Sequence, residues 1–273
     1  MNNLIAGLGI LALAVLAAGL VAQLRQSSLV RRLQMQLDAT PAPRDMSSRL
    51  PARVRDFALR ADATPDDLAA SVSFTQIAEM QLKPGDPWQV LDARQTIAAG
   101  AAGFLWQARL PWGPVAKFSV IDAYAGGKGL LRAALLRLIP VARADGPDID
   151  RAEAMRYLAE LPWAPDAILG NPALIWQMID DDWAEASMLI AGGRVAVRFR
   201  FDSGGDIAEV FAQDRPATAP DGSKASYDWQ GYFRDYRMIG PRRVPAEAEV
   251  GYIHADGFRP YFQGRITDYA VQH

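Results

Sequence analysis

Arg156 and Glu160, in this chain of 273 residues, are spaced for joint chemistry, standing at i and i+4 in a segment that reads as a helix. On an exposed face they form an ordinary ion pair, and the Arg-first order contributes about 0.3 kcal/mol or nothing. Their place among Tyr157, Pro162 and Trp163 points toward partial burial, where a carboxylate could orient a bound molecule. Trp106, Trp176, Trp183, Trp229 and Tyr236 lie in or beside strand-like runs. Large aromatics ordinarily fill a sheet–helix core. The alternative is the wall of an apolar cavity, because small-molecule sites are lined mostly by aromatic side chains with few polar groups. The candidate binding set is therefore Trp106, Arg156, Tyr157, Glu160, Trp163, Trp176, Trp183, Trp229 and Tyr236.

Other chemistries find little support. The chain has no Cys, which removes disulfides, thiol nucleophiles and lipidated Cys. His254 and His273 are its two His and are not at metal-ligand spacing. A Ser-His-Asp triad would have to use His254, and no G-x-S-x-G accompanies it. Gly126-Gly127-Lys128-Gly129 lacks the spacing that wraps backbone amides around phosphate and reads as a turn between strands. Asp180-Asp181-Asp182 lacks the Gly and downstream Glu of a calcium loop and reads as a solvated turn. No catalytic residue, metal site or cofactor is assigned. The one enzymatic option left is a carboxylate-based hydrolase pairing Glu160 with an Asp as acid and base.

The elements that must position the candidates are mostly strands. Period-two alternation begins at Ser71 and continues through 88–98, 102–110 and 115–124, separated by Pro-Gly and Gly-Gly signals. Residues 130–141 mix helix-favouring Leu and Ala with a strand context and are expected as strand. A helix capped by Asp148 or Asp150 follows to Ala159, with Asp150 and Glu153 spaced as a capping box, then Pro162 and a short turn opened by Pro165. Strands resume over 174–179, 183–191, 194–201, 207–213, 227–238, 246–254 and 258–269. Before the first strand, Ser47 or Ser48 is expected to cap a helix carrying Pro51 in its first turn. The fold class expected is mainly β (α+β): a large curled antiparallel sheet or half-barrel, a helical insert at 148–169 and an N-terminal transmembrane helix.

That last helix rests on residues 4–24, which carry no charge and one polar side chain, Gln23. A helix of this length spans about 31 Å, close to the roughly 30 Å hydrocarbon core of a bilayer. Met1-Asn2-Asn3 offers no basic n-region, so a retained anchor is expected over a cleaved signal, although Ala17-Ala18-Gly19 resembles a cleavage site. Residues 25–46 then read as a juxtamembrane basic helix and tether, and 47–273 as one domain. Up to Arg60 the chain has eight Arg against three Asp, so its net charge of −2 conceals a basic front and an acidic body. Arg residues beside a bilayer are attracted to anionic headgroups, and an acidic body is a poor partner for nucleic acid. The positive-inside rule places the domain in the cytoplasm.

Several blocks carry a resemblance. Arg156 to Trp163, Phe201-Asp202-Ser203-Gly204-Gly205, Asp214-Arg215, and Trp229 through Asp235-Tyr236 to Gly240 and Pro245 resemble the signature of an uncharacterised bacterial family. That family is a domain of unknown function with an N-terminal hydrophobic segment, and the likeness covers roughly 50–269. More distantly, the strand order is similar to the periplasmic lipoprotein-carrier half-barrels, whose curved sheet holds lipid chains under a helical lid. That likeness implies the periplasm, against the Arg flank. Two functions stay open: a membrane-anchored binder or carrier of an apolar ligand, with lipid among the candidates, and a structural or interaction module of a membrane complex without a small ligand. An open apolar cavity favours the first and a filled interior the second.

Overall fold

In β1 (Ser71–Met80), Val72, Phe74, Gln76 and Ala78 are buried while Ser73, Thr75, Ile77 and Glu79 are exposed, the alternation of a strand with one covered face. β2 (Gln89–Ala98) repeats it with Leu91, Ala93, Gln95 and Ile97 inward. The computed structural model describes residues 2–81, 85–112, 115–136, 139–219 and 221–273, leaving out the side chains of 2–16, 18, 112 and 115–117. The further strands are β3 (Phe104–Trp112), β4 (Val115–Ala125), β5 (Lys128–Leu135), β6 (Ile139–Ala144), β7 (Ile175–Met178), β8 (Trp183–Ile190), β9 (Gly193–Phe201), β10 (Ile207–Thr218), β11 (Lys224–Ile239), β12 (Arg242–His254) and β13 (Gly257–Gln272).

Among the described residues thirteen strands form one antiparallel sheet in the order β6-β5-β4-β3-β2-β1-β13-β12-β11-β10-β9-β8-β7. The chain therefore starts at the centre of the sheet, meanders out to one edge, and returns from the opposite edge until β13 closes on β1. Its two edge strands are joined by the helical insert, which has to cross the sheet to connect them. The insert is α3 (Pro147–Ala159), a 3-10 turn at Leu161–Trp163 and α4 (Pro165–Gly170). α3 packs on β4 and β5 from one half and on β8, β9 and β10 from the other, so the curled sheet is a half-barrel with a helix in its concavity. The region expected as strand over 130–141 contains the end of β5 and the start of β6.

Two caps differ from expectation. Ser47–Arg49 is a separate 3-10 turn, its first amide bonded to Asp45 Oδ1 at 2.8 Å, and α2 (Ala52–Arg60) starts after Pro51 without a side-chain cap. Asp150 and Glu153 do not form a capping box either. α3 begins earlier, behind Gly146, and Asp150 turns to the β4–β5 hairpin, where it accepts from the Gly129 amide at 2.8 Å and from Lys128 Nζ at 2.9 Å. The approach is so close that a Cβ on Gly129 would lie 2.5 Å from the Ile149 carbonyl oxygen.

α1 (Asn2–Asp38) is one helix through the expected anchor and the basic segment after it. The span expected at 4–24 lies largely outside the residues with described side chains; among the described residues no helix is long and apolar enough to cross a membrane. The following segment is docked on the domain. Leu33 and Leu37 are buried on the convex face against Leu105, Ile121 and Ala123, and the Arg44 and Met46 amides bond the carbonyls of Gly170 and Leu169 at 2.9 and 2.8 Å.

Candidate functional site

The concave side is incompletely filled. A cavity of about 390 Å³ lies between α3 and the sheet, walled by Phe118 and Leu131 on one half and by Val210, Trp229 and Phe262 on the other, with Trp106 and Trp163 between them. Ile149, Ala152, Glu153, Arg156, Ala159 and Glu160 face it, the spacing of one side of a helix. The volume falls in the usual range for a small-molecule site and the lining is mainly apolar.

At one end the wall becomes polar. Arg156 donates from Nε to Glu160 Oε1 at 2.8 Å and from Nη1 to Asp122, while its guanidinium lies 4.8 Å from the Phe104 ring and 5.2 Å from the Trp106 ring. Gln95 holds the other Glu160 oxygen. Arg215 donates to Tyr252 Oη at 2.6 Å, stacks 4.8 Å over Trp229, and approaches Glu153 Oε1 at 3.6 Å. Burial pushes the Glu153 carboxyl up to about 8, and the neighbouring Asp122 adds to this while Arg215 and Arg156 oppose it. Burial also raises Glu160, against Arg156. For Arg156, burial works against the charged form, but Glu160, Asp122 and Glu153 outweigh it and the guanidinium stays charged.

The backbone shows why Arg215 is there. Val210 and Ala212 face inward on β10, and simple alternation would leave Arg215 outside. Instead the β10–β11 register shifts between Ala212 and Arg215, with Asp214 left-handed at φ 50° and its amide bonded to Asp228 Oδ1 at 3.1 Å. This bulge turns Arg215 to the core. Asp235 is left-handed as well, φ 56°, but the β11–β12 register is the same on either side of it; Tyr236 follows it and packs on Phe57. Asp is among the few residues that enter this conformation readily. The Asp-Arg block is thus a bulge that re-aims the next side chain.

A family model matches residues 40–264, which include all of these blocks. The chain belongs to DUF6544, a family of unknown function. A search of curated proteins gives no match. Among solved structures the DUF6544 chain is similar to a protein domain assigned to outer-membrane lipoprotein sorting in Vibrio parahaemolyticus, at 10% identity and TM-score 0.46 over 83% of this chain and 93% of that one. It is also similar to a LolA-superfamily protein from Nitrosomonas europaea, at 9% identity and TM-score 0.40 over 81% and 94%. A third, a DUF1329-family protein from Desulfovibrio piger, shares 11% identity with TM-score 0.37 over 82% and 93%.

Of the nine candidates, Trp106, Arg156, Glu160, Trp163 and Trp229 come together around the cavity of the DUF6544 domain. The other four lie elsewhere. Tyr157 is outside the cavity lining, accepting from Asn171 Nδ2 at 2.9 Å and donating to the Ala98 carbonyl at 3.3 Å. Trp176 packs on Phe199, 5.1 Å between ring centroids. Trp183 is half-buried at the start of β8, its amide bonded to Asp180 Oδ1 at 2.7 Å, so the Asp180 carboxylate caps the turn of the three-Asp run. Tyr236 Oη donates to the Ile207 carbonyl at 2.9 Å.

Three members of the polar end were missed in the sequence: Asp122, Glu153 and Arg215. Asp122 shares the inward parity of Val120 and Tyr124, and an acid on the buried face of a strand is itself a signal. Glu153 is three residues before Arg156, on its helix face. Arg215 was hidden by the bulge, which breaks the parity by which strand faces are read.

Proposed function

We propose that this protein is a membrane-anchored binder or carrier of one amphiphilic ligand, lipid among the candidates, whose apolar part occupies the cavity between α3 and the sheet. The observation that carries this reading is the cavity itself. A docking module would gain by closing the interior with side chains, whereas about 390 Å³ stays open behind a wall with Trp106, Trp163 and Trp229. The uncharged run 4–24 adds the second part: a helical anchor would hold the cavity next to the lipid phase. The basic residues after it favour the cytoplasmic side.

Native mass spectrometry and solvent extraction of the full chain, purified from its own membrane, should reveal a co-purifying amphiphile, and a fluorescent fatty acid should be displaced from a saturable site. Absence of both would sink the binding reading. Sidedness is measured separately, by labelling a single Cys introduced into this Cys-free chain near residue 40.

A further inference from the structure

The polar end of the cavity pairs its two arginines unequally. Arg156 is fully engaged as an ion, with Asp122 and Glu160 both bonded to it. Arg215 is not. Its side chain is only 8% exposed, yet the one carboxylate within ion-pair range among the described residues is Glu153, 3.6 Å from Nη2 and beyond hydrogen-bond geometry. Its Nε is buried with no acceptor, Tyr252 Oη supplies a neutral partner, and Trp229 supplies a ring face.

Glu153 is poorly placed to serve as the counter-charge. Glu153 Oε2 and Asp122 Oδ1 are both buried and both lack a donor, and burial with the negative Asp122 nearby favours the protonated form of Glu153. Two neighbouring carboxyls buried with undonated oxygens do not both ionise, so one of them carries a proton. With Arg156 holding the other oxygen of Asp122, that proton resides on Glu153. A buried guanidinium without a counter-ion costs several kcal/mol unless an anion joins it. Arg215 lines the same apolar chamber as Trp229 and Phe262.

We propose that Arg215 is an anion subsite for the head group of the amphiphile, a carboxylate or phosphate monoester seated on its Nη2 edge with the chain running along the tryptophan wall. This rests on the binding reading above and narrows it to anionic amphiphiles. Glu153 is then a positioning residue: its proton leaves Arg215 without a carboxylate counter-ion. The charged and titratable groups around it are Asp122 from β4, Arg156 and Glu160 from α3 and its C-terminal end, Arg215 from β10, and beyond Arg215 the Tyr252 and Tyr261 hydroxyls from β12 and β13. Above about pH 8 Glu153 ionises, neutralises Arg215 and competes with the head group.

The test is displacement of a fluorescent fatty acid from the full chain, held in a non-ionic detergent, by oleate, oleoyl lysophosphatidate and oleyl alcohol. At pH 7 at least one anion should bind about ten- to a hundredfold more tightly than the alcohol, the range for a hydrogen bond to a charged group. The tighter of the two anions identifies the head-group chemistry. Arg215→Gln should remove that preference while leaving alcohol binding in place. The preference should decline between pH 7 and 9 in the unmodified chain and stay level in Glu153→Gln, whose amide is uncharged at every pH; this arm decides the matter if Arg215→Gln does not fold. Equal binding of alcohol and anions overturns the anion subsite and leaves the cavity reading intact. No saturable binding of any of the three overturns the cavity reading as well.

Discussion

Two buried arginines in this domain meet carboxylates on opposite terms. Arg242 at the start of β12 grips Asp166 of α4 through Nε and Nη2 at 2.9 and 2.8 Å, and Asp166 Oδ1 also takes the Ala69 amide at 3.0 Å. Asp166 is fully buried and both its oxygens are occupied. At the cavity, Arg215 has one 3.6 Å carboxylate neighbour and a buried Nε without an acceptor, and Asp122 and Glu153 each have an oxygen without a donor. The first cluster is closed and joins three chain segments; the second is incomplete and faces space. Ion-pair burial alone does not separate structure from site. Satisfaction of every donor and acceptor does.

The largest effect that would sharpen this contrast is expected at the closed cluster. Asp166→Ala leaves the Arg242 charge and the Ala69 amide buried without partners, so about 3–5 kcal/mol of stability should be lost in urea unfolding. A loss below about 1 kcal/mol would mean that the pair is not a clamp.

The next effect is pH-dependent and belongs to the open cluster. Glu153 has its carboxyl raised from 4.5 to about 8, so the folded state holds a proton that the unfolded chain releases. Its contribution to stability is complete below pH 4.5 and is lost as pH rises toward 8. The difference in unfolding free energy between the unmodified chain and Glu153→Gln should therefore fall across that window and level off above it. A tenfold difference in proton affinity between the two states corresponds to about 1.4 kcal/mol. A flat difference would place an ionised Glu153 in the fold and return Arg215 its counter-ion.

A third, smaller effect sets the two arginines directly against each other. Arg215→Met removes a charge with no full partner and keeps most of the apolar stem, so stability should stay within about 1 kcal/mol of the unmodified chain or rise. Arg242→Met strands Asp166 and should cost about 3 kcal/mol or more. Thermal unfolding of the pair, side by side, checks the ordering. Equal losses would erase the distinction between the clusters.

Much of the fold was legible because its strands obey parity. The Val72, Phe74, Gln76, Ala78 series and the Gly126-Gly127 turn, both at positive φ, follow from local rules. What local rules could not give is the closure of β13 on β1, which joins residues far apart in the chain and makes the insert span the sheet. The site was legible by halves for the same reason. Arg156 and Glu160 share one helix and were visible together, whereas Asp122 and Arg215 reach them from opposite halves of the sheet. Arg215 was the hardest, since its inward aim depends on Asp214 adopting a left-handed backbone. Asp150 and Glu153 satisfied the spacing of a capping box, yet Asp150 bonds the β4–β5 hairpin and Glu153 turns to the cavity instead of the helix end.

The smallest effect is expected where the geometry looks as good as in the clamp. Lys224 Nζ lies 2.5 Å from Asp148 Oδ2, a shorter contact than either Arg242–Asp166 bond. Its side chain is 90% exposed, however, and that of Asp148 is 53% exposed. Water solvates both ions as well apart as together, salt screens what attraction remains, and ordering a long Lys chain offsets part of it. Lys224→Ala should consequently leave the urea midpoint unchanged within error at about 0.15 M salt. A measurable loss would mean that short distance by itself confers stability, and the comparison between the Asp166 and Glu153 clusters would then have to be argued from bond lengths instead of from burial and unmet hydrogen bonds.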